Sequence, residues 1–179
     1  LGERLGLDGR VLAPYLCLLV RVGGHVVLVD TGIGQYEHPL GGSGGRLVDE
    51  LHAVDVAPED VDVVILTHGH LDHTGRVPLL IKFGYDGPIY GTKETLALTQ
   101  IILQDCARLQ AADAMRKNRK AWKTAEPMVE PLYNTEHVEY MNELAVHVSF
   151  NTPVKITDNV TARWIEAGHM LGSGSIEVS

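Results

Sequence analysis

An α/β fold follows from three features of the sequence. Val61-Asp62-Val63-Val64-Ile65-Leu66 is an apolar, β-branched run with the character of a strand buried on both faces. Two further apolar runs, 15–20 and 26–29, are joined by Gly23-Gly24, the turn chemistry of a β-hairpin. Beyond Thr92, which can cap a helix, Leu98, Ile101, Ile102, Cys106 and Leu109 recur at helical spacing and predict one buried stripe on a long helix from residue 93 to at least 110. With 179 residues, 45% of them hydrophobic, the chain carries enough apolar material for one core, and a single domain over 1–179 is expected.

The remaining elements follow in order. Gly41-Gly42-Ser43-Gly44-Gly45 reads as a loop, and no Gly-Lys-Ser/Thr follows to make it a phosphate cradle. Arg46–Leu51 reads as a short amphipathic helix, and Arg76–Phe83 as another with Pro78 near its first turn. Residues 87–90 form a short strand. The prolines of Glu126-Pro127 and Glu130-Pro131 break the helical pattern. A shorter helix then runs through Thr135 and His137–Leu144 with Val138, Met141 and Leu144 or Ala145 inward. Strands at 146–157 and 160–165 flank the Asp158-Asn159 turn.

Charge and cysteine content narrow the function classes. The formal charge of −8 opposes indiscriminate binding to nucleic acid. Between Arg108 and Lys123, however, six basic residues face one acid, Asp113, and Arg116, Lys117, Arg119 and Lys120 are candidate contacts for nucleic-acid phosphates, with a solvated helical face as the plainer reading. Cys17 and Cys106 stand far apart in apolar surroundings, as core residues of a reduced compartment do. No window approaches the roughly 20 apolar residues of a membrane span, and the first residues lack a secretory pattern, so a soluble cytoplasmic protein is expected.

The chemistry concentrates in Thr67-His68-Gly69-His70-Leu71-Asp72-His73-Thr74-Gly75, at the end of the buried run. His68 and His70 are two apart and project to one side of an extended segment, where they can grip one ion, while Asp72 and His73 fall past the turn and can face a second. Imidazole and carboxylate without thiolate suit Zn²⁺, one ion or two, or Mn²⁺. Asp30, ending the second hairpin strand, lies on the same rim and can orient a ligand imidazole, or simply start a turn. Glu166-Ala167-Gly168-His169-Met170-Leu171-Gly172-Ser173 places His169 just past a strand between glycines that let backbone approach an ion, which makes it a further candidate ligand. Histidines 25, 38, 52, 137 and 147 stand alone.

His68-x-His70-x-Asp72-His73 followed by Gly75 resembles the signature of the metallo-β-lactamase fold, a superfamily of metal-dependent hydrolases. The resemblance implies an αββα sandwich, of which this chain supplies roughly the N-terminal half plus adjoining strands. It implies a first metal on His68, His70 and His169, and a second held in part by Asp72 and His73, which are also the candidate catalytic residues. From Gly75 to Ser173 the text resembles the β-CASP branch of nucleic-acid-processing nucleases, whereas Pro14–Val20 and Leu28–Gly34 look more like small-molecule lactonases of the same fold. That branch has a metal-bridging Asp, a last metal-2 histidine and an accessory clamping domain beyond the point matching Ser179, so a weaker second metal is expected, with a homo-oligomer covering an exposed sheet face.

Three imidazoles around Zn²⁺ leave a fourth position for a water that ionises near pH 7, the expected nucleophile. Phosphodiester hydrolysis in single-stranded RNA is the leading expectation. Hydrolysis of a small lactone, thioester or β-lactam is the alternative, and a catalytically impaired metal-binding module the third reading.

Overall fold

The structure, a computed structural model, describes residues 17–32, 46–124 and 127–179. The loop expected at 41–45, the start of the first apolar run, the Ile33-Gly34 pair and Glu126 lie outside the described residues.

Five strands form the first sheet in the order β1 (Leu18–Val22), β2 (His25–Val29), β3 (Val63–Ile65), β4 (Ile89–Thr92) and β5 (Ala145–Val148). The β1–β2 hairpin is antiparallel, and β2 to β5 run parallel. All three residues of β3 are buried, as its β-branched sequence requires of a central parallel strand. Three antiparallel strands, β6 (Val154–Thr157), β7 (Val160–Glu166) and β8 (Gly174–Val178), make a second sheet.

Alternation along the strands sorts two cores. Leu28, Val64 and Leu66 pack with Leu51 of α1 (Leu47–His52), Val77 and Leu80 of α3 (Val77–Lys82), Leu103 of α4 (Lys93–Thr124), and Val138 and Met141 of α5 (Thr135–Glu143). Val27, Val29, Val63 and Ile65 point the other way and meet Ile156, Val160, Ala162 and Trp164 of the second sheet. The described residues thus stack as helices, sheet and sheet, three of the layers of the expected sandwich. Lys155, Arg163 and Glu177 occupy the outer face of the second sheet, where Arg163 Nε donates to Glu177 Oε2 at 2.7 Å.

Two expectations need correction. The strand read at 146–157 is two strands in different sheets: β5 ends at Val148, and Asn151, with φ of +60°, turns the chain out of one sheet and into the other. The stripe read on α4 is rotated, since Ile101 and Leu109 are 66% and 62% exposed while Leu96, Thr99, Leu103, Ala107, Ala114 and Ala121 are buried. Apolar residues lie all around this helix, so periodicity alone selected the wrong face, and small side chains mark the seam where it lies against its neighbours.

Trp164 ties the layers together. It is fully buried between the sheets, and its indole N–H donates to Leu66 O at 3.2 Å, at the end of β3. Trp164→Phe removes this bond and leaves a void, and is expected to lower the unfolding free energy by about 1–3 kcal/mol in a denaturant titration. A loss below about 0.5 kcal/mol would show that the sheets are held apart from this contact.

Candidate metal centre

The centre forms where the parallel strands end. β3 delivers Thr67, His68 and His70, and the short helix α2 (Leu71–Thr74) turns Asp72 and His73 back toward them. Gly69 lies against α4, where an added Cβ would sit 3.0 Å from Leu98 Cβ. His169 arrives on the loop 167–173 between β7 and β8.

That loop is strapped down at three points. Gly174 N donates to Thr67 O at 2.8 Å. Gly172 O accepts from Thr92 Oγ1 at 2.7 Å and from Thr95 Oγ1 at 2.9 Å, at the start of α4. Ser173 Oγ accepts from the backbone N–H groups of His169 and Met170, both at 3.1 Å. Gly172, with φ of +82°, is required there because a Cβ would fall 2.7 Å from Thr92 Oγ1, Glu94 Cβ and Thr95 N. Gly172 therefore serves the contact with the start of α4, while Gly168 has φ of +64° and open space around it.

His68, His70 and His169 come together with ring centroids 4.9 Å apart in each pair and planes nearly perpendicular. His169 Nε2 and His70 Nδ1 are 3.1 Å apart. Two nitrogens on a tetrahedral zinc at 2.0–2.1 Å are separated by about 3.3–3.4 Å, so the spacing fits two ligands of one ion.

One buried carboxylate orients the rest. Asp30, 4% exposed and with φ of +58°, accepts from Thr67 N at 2.9 Å through Oδ1. Its Oδ2 accepts from Thr67 Oγ1 and meets His73 Nδ1, both at 2.7 Å. Thr67 Oγ1 also lies 2.8 Å from His68 Nδ1. With the hydroxyl proton given to Asp30, this last bond is satisfied by an Nδ1–H on His68, which leaves Nε2 free to face an ion. His73 is fixed in the same tautomer. Asp30, His68 and His73 also have donor atoms within 4.8 Å of one another, but both Asp30 oxygens are already used as acceptors, so this group is a hydrogen-bond hub. Asp72 Oδ2 lies 3.6 Å from His73 Nε2, which leaves these two as neighbours at the solvent side of the cluster.

The environment treats the two Asp30-linked imidazoles oppositely. Burial, with the neighbouring His73 next in weight, pushes the His68 pKa down to about 4, against the pull of Asp30. The hydrogen bond to Asp30 raises the His73 pKa, helped by the charges of Asp30 and Asp72 and opposed by burial. His68 is therefore a neutral imidazole at pH 7, the form that can hold a metal.

Arg116, Lys117, Arg119 and Lys120 lie elsewhere. They occupy the far third of α4, a helix of 32 residues. Lys117 is roughly 33 Å along the axis from Thr95. Asp113 pairs with Arg116 and, at 3.2 Å, with Lys117. Of the residues that brace the centre, Thr67 and Thr95 were given no role by the sequence, Thr92 was read only as a helix cap and Gly172 only as a glycine beside His169. Thr67 stood inside the histidine motif, and its hydroxyl next to His68 was the available signal.

The family described as the metallo-beta-lactamase superfamily matches residues 11–178. The chain belongs to that superfamily. Its fold implies divalent metal binding, and the donor set fits. Among known proteins, the chain is similar to a transcription termination factor of Cenarchaeum symbiosum (31% identity over 157 residues, 88% of this chain and 22% of the relative). It is also similar to a ribonuclease of Thermus thermophilus (40% over 92 residues, 51% of this chain and 19% of the relative). The chain thus spans about a fifth of the length of these curated relatives. Among solved structures, a metallo-β-lactamase of Cronobacter sakazakii shares the fold with a TM-score of 0.55 at 13% identity, over 90% of this chain and 52% of that one.

Thr67→Val is expected to weaken zinc binding roughly 10–100-fold with the fold intact, and Thr67→Ser to restore it. Competition with a chromophoric chelator measures both; equal affinity in the valine variant would show that the hydroxyl orients nothing.

Proposed function

We propose that the chain hydrolyses RNA phosphodiesters at a centre held by His68, His70 and His169, with zinc as the native ion and manganese as a substitute. The observation that carries hydrolysis is the three-fold convergence of these imidazoles, which leaves the side opposite them open. Similarity to a ribonuclease and to a transcription termination factor supports RNA as the substrate. When bound, a divalent ion there supplies Lewis acidity and a water acidic enough to attack near neutral pH.

The chain's own residues do the rest. Asp30 and Thr67 hold His68 and His73 in the tautomers that offer Nε2. Asp72 and His73 form a second, weaker cation position, and Asp72, with a side chain 37% exposed, is the acceptor best set to take a proton from the attacking water. An RNA strand reaching from this centre to the distal cations of α4 has to follow the helix for roughly 33 Å. Those cations, Arg116, Lys117, Arg119 and Lys120, then anchor phosphates remote from the cut. The unpaired Cys17 and Cys106 suit the reducing cytoplasm. A second copy of the chain is the cover we assign to the outer face of the small sheet, although Lys155, Arg163 and Glu177 there limit the apolar drive.

Hydrolysis of a small lactone, thioester or β-lactam is the second reading. The charge of −8 favours it, as does Asp113, which engages two of the four predicted phosphate contacts.

His68→Ala is expected to abolish binding at the first metal position and RNA cleavage together, read by metal analysis and a labelled single-stranded RNA. Full cleavage by this variant would remove the cluster from the mechanism. Turnover of a chromogenic lactam or lactone without cleavage of RNA would favour the second reading. Charge reversal at Lys117, Arg119 and Lys120 should weaken RNA binding and flatten the dependence of log K on log salt by about 2–3, since each phosphate contact contributes a slope near 0.7–0.9. An unchanged slope would assign that helix to ordinary surface.

A further inference from the structure

A cavity of about 340 Å³ lies between the start of α1, one side of α3 and residues 130–132, and Arg46, Asp49, Arg76, Lys82, Phe83 and Glu130 are among its lining residues. Arg76 is the unusual one. It is 7% exposed, its backbone N–H donates to Thr31 Oγ1 at 3.2 Å and its carbonyl accepts from the N–H groups of Leu79 and Leu80, yet its guanidinium has no hydrogen-bond or ion-pair partner among the described residues. Guanidinium stays charged in proteins and carries five N–H donors, so a buried one without an acceptor is a strong demand for an anion. Burial lowers its pKa, with Tyr133 opposing. Among the described residues, Thr99 Oγ1 is the single sealed side-chain polar atom lacking a partner, so the guanidinium nitrogens still reach the void.

The neighbouring groups leave that demand unmet. Asp49 is engaged by Arg46, Nε to Oδ2 at 3.5 Å. Lys82 Nζ donates to Pro131 O at 3.4 Å and keeps two further donors. Three cations thus face two carboxylates, and one of the two is spoken for. Phe83, 49% exposed, adds an aromatic face at the same opening. The cavity is also coupled to the metal centre: Thr31, which holds the Arg76 backbone, donates to His73 O through both its N–H, at 2.6 Å, and its hydroxyl, at 3.1 Å.

We propose that this cavity binds a phosphate group of the RNA strand beside the cut, with Arg76 as the forked donor at its base, Lys82 as the second cation and Phe83 as a stacking surface for the adjoining base. The assignment to RNA rests on the reading of the chain as an RNA hydrolase; the anion site rests on Arg76 and the cavity alone.

The test uses the full chain, zinc-loaded in every form except His68→Ala, and two probes. Thermal unfolding is followed with inorganic phosphate against chloride at equal ionic strength, for wild type, Arg76→Gln, Lys82→Gln and His68→Ala. At ten times its Kd, phosphate should raise Tm by roughly 3–6 °C in wild type and in His68→Ala, the latter separating this site from the metal centre. The rise should shrink in Lys82→Gln, which lies at the opening and keeps the fold, and vanish in Arg76→Gln. Single-stranded RNA should bind Arg76→Gln more weakly, with a salt slope lower by about 1 and unchanged zinc content. No rise in wild type, or an equal rise in Arg76→Gln, overturns the site. An Arg76-dependent rise with unaltered RNA binding overturns its assignment to RNA, and failure of every form to bind RNA overturns the RNA reading while the phosphate result still decides the site.

Discussion

A histidine 99 residues downstream is held against His70, and the proposed metal centre depends on that constraint. Neighbours in sequence place His68 and His70 without help, because β3 is locked into the centre of a parallel sheet. His169 has no such local support. It sits on a seven-residue loop, and the loop stays in place because its carbonyl and amide groups are claimed by Thr92, Thr95 and Thr67, while Trp164 anchors the strand before it to Leu66. Each bond is worth only about 0.5–1.5 kcal/mol net, but all of them converge on one loop and leave it a single position.

A second constraint works on orientation. Asp30 closes β2 in a left-handed conformation that Asp tolerates better than most residues, which turns its carboxylate under the motif. Because it accepts both from His73 and from the Thr67 hydroxyl, the hydrogen-bond directions along the chain of groups are fixed, and two imidazoles are set to the same tautomer by one buried charge. The opposite shifts of His68 and His73 follow from their places in this hub. His68 meets the carboxylate only through Thr67 and feels burial most, whereas His73 touches it directly. Neutral imidazole at the first position favours capture of an ion without competition from protons at neutral pH.

Much of this was legible in the sequence. The buried run ending in His68-x-His70-x-Asp72-His73 specified a central strand with imidazoles at its end, Gly23-Gly24 specified a hairpin, and the isolated His169 past a strand pointed to the distant imidazole that joins them. Those signals are local and chemically unusual. Other features were hidden because they depend on partners far away in sequence. Gly172 is dictated by the atoms of Thr92, Glu94 and Thr95, which periodicity cannot place beside it. The split between β5 and β6 depends on which sheet each half joins, since a strand that changes sheets reads as one apolar run. Along α4, Ile101 and Leu109 competed with Leu96 and Leu103 for the same role, and packing against the sheet and α5 chose the latter. The remoteness of the basic cluster from the imidazoles follows from helix length, which the sequence bounded only from below.

The claim that three histidines from two distant segments share one ion is tested most directly by an anomalous difference map at the zinc edge from crystals of the zinc-loaded chain. The account predicts a peak bounded by His68 Nε2, His70 Nδ1 and His169 Nε2, with a weaker one beside His73 Nε2 and Asp72. A dominant peak with His169 turned away, or density only at sites outside this cluster, would contradict it.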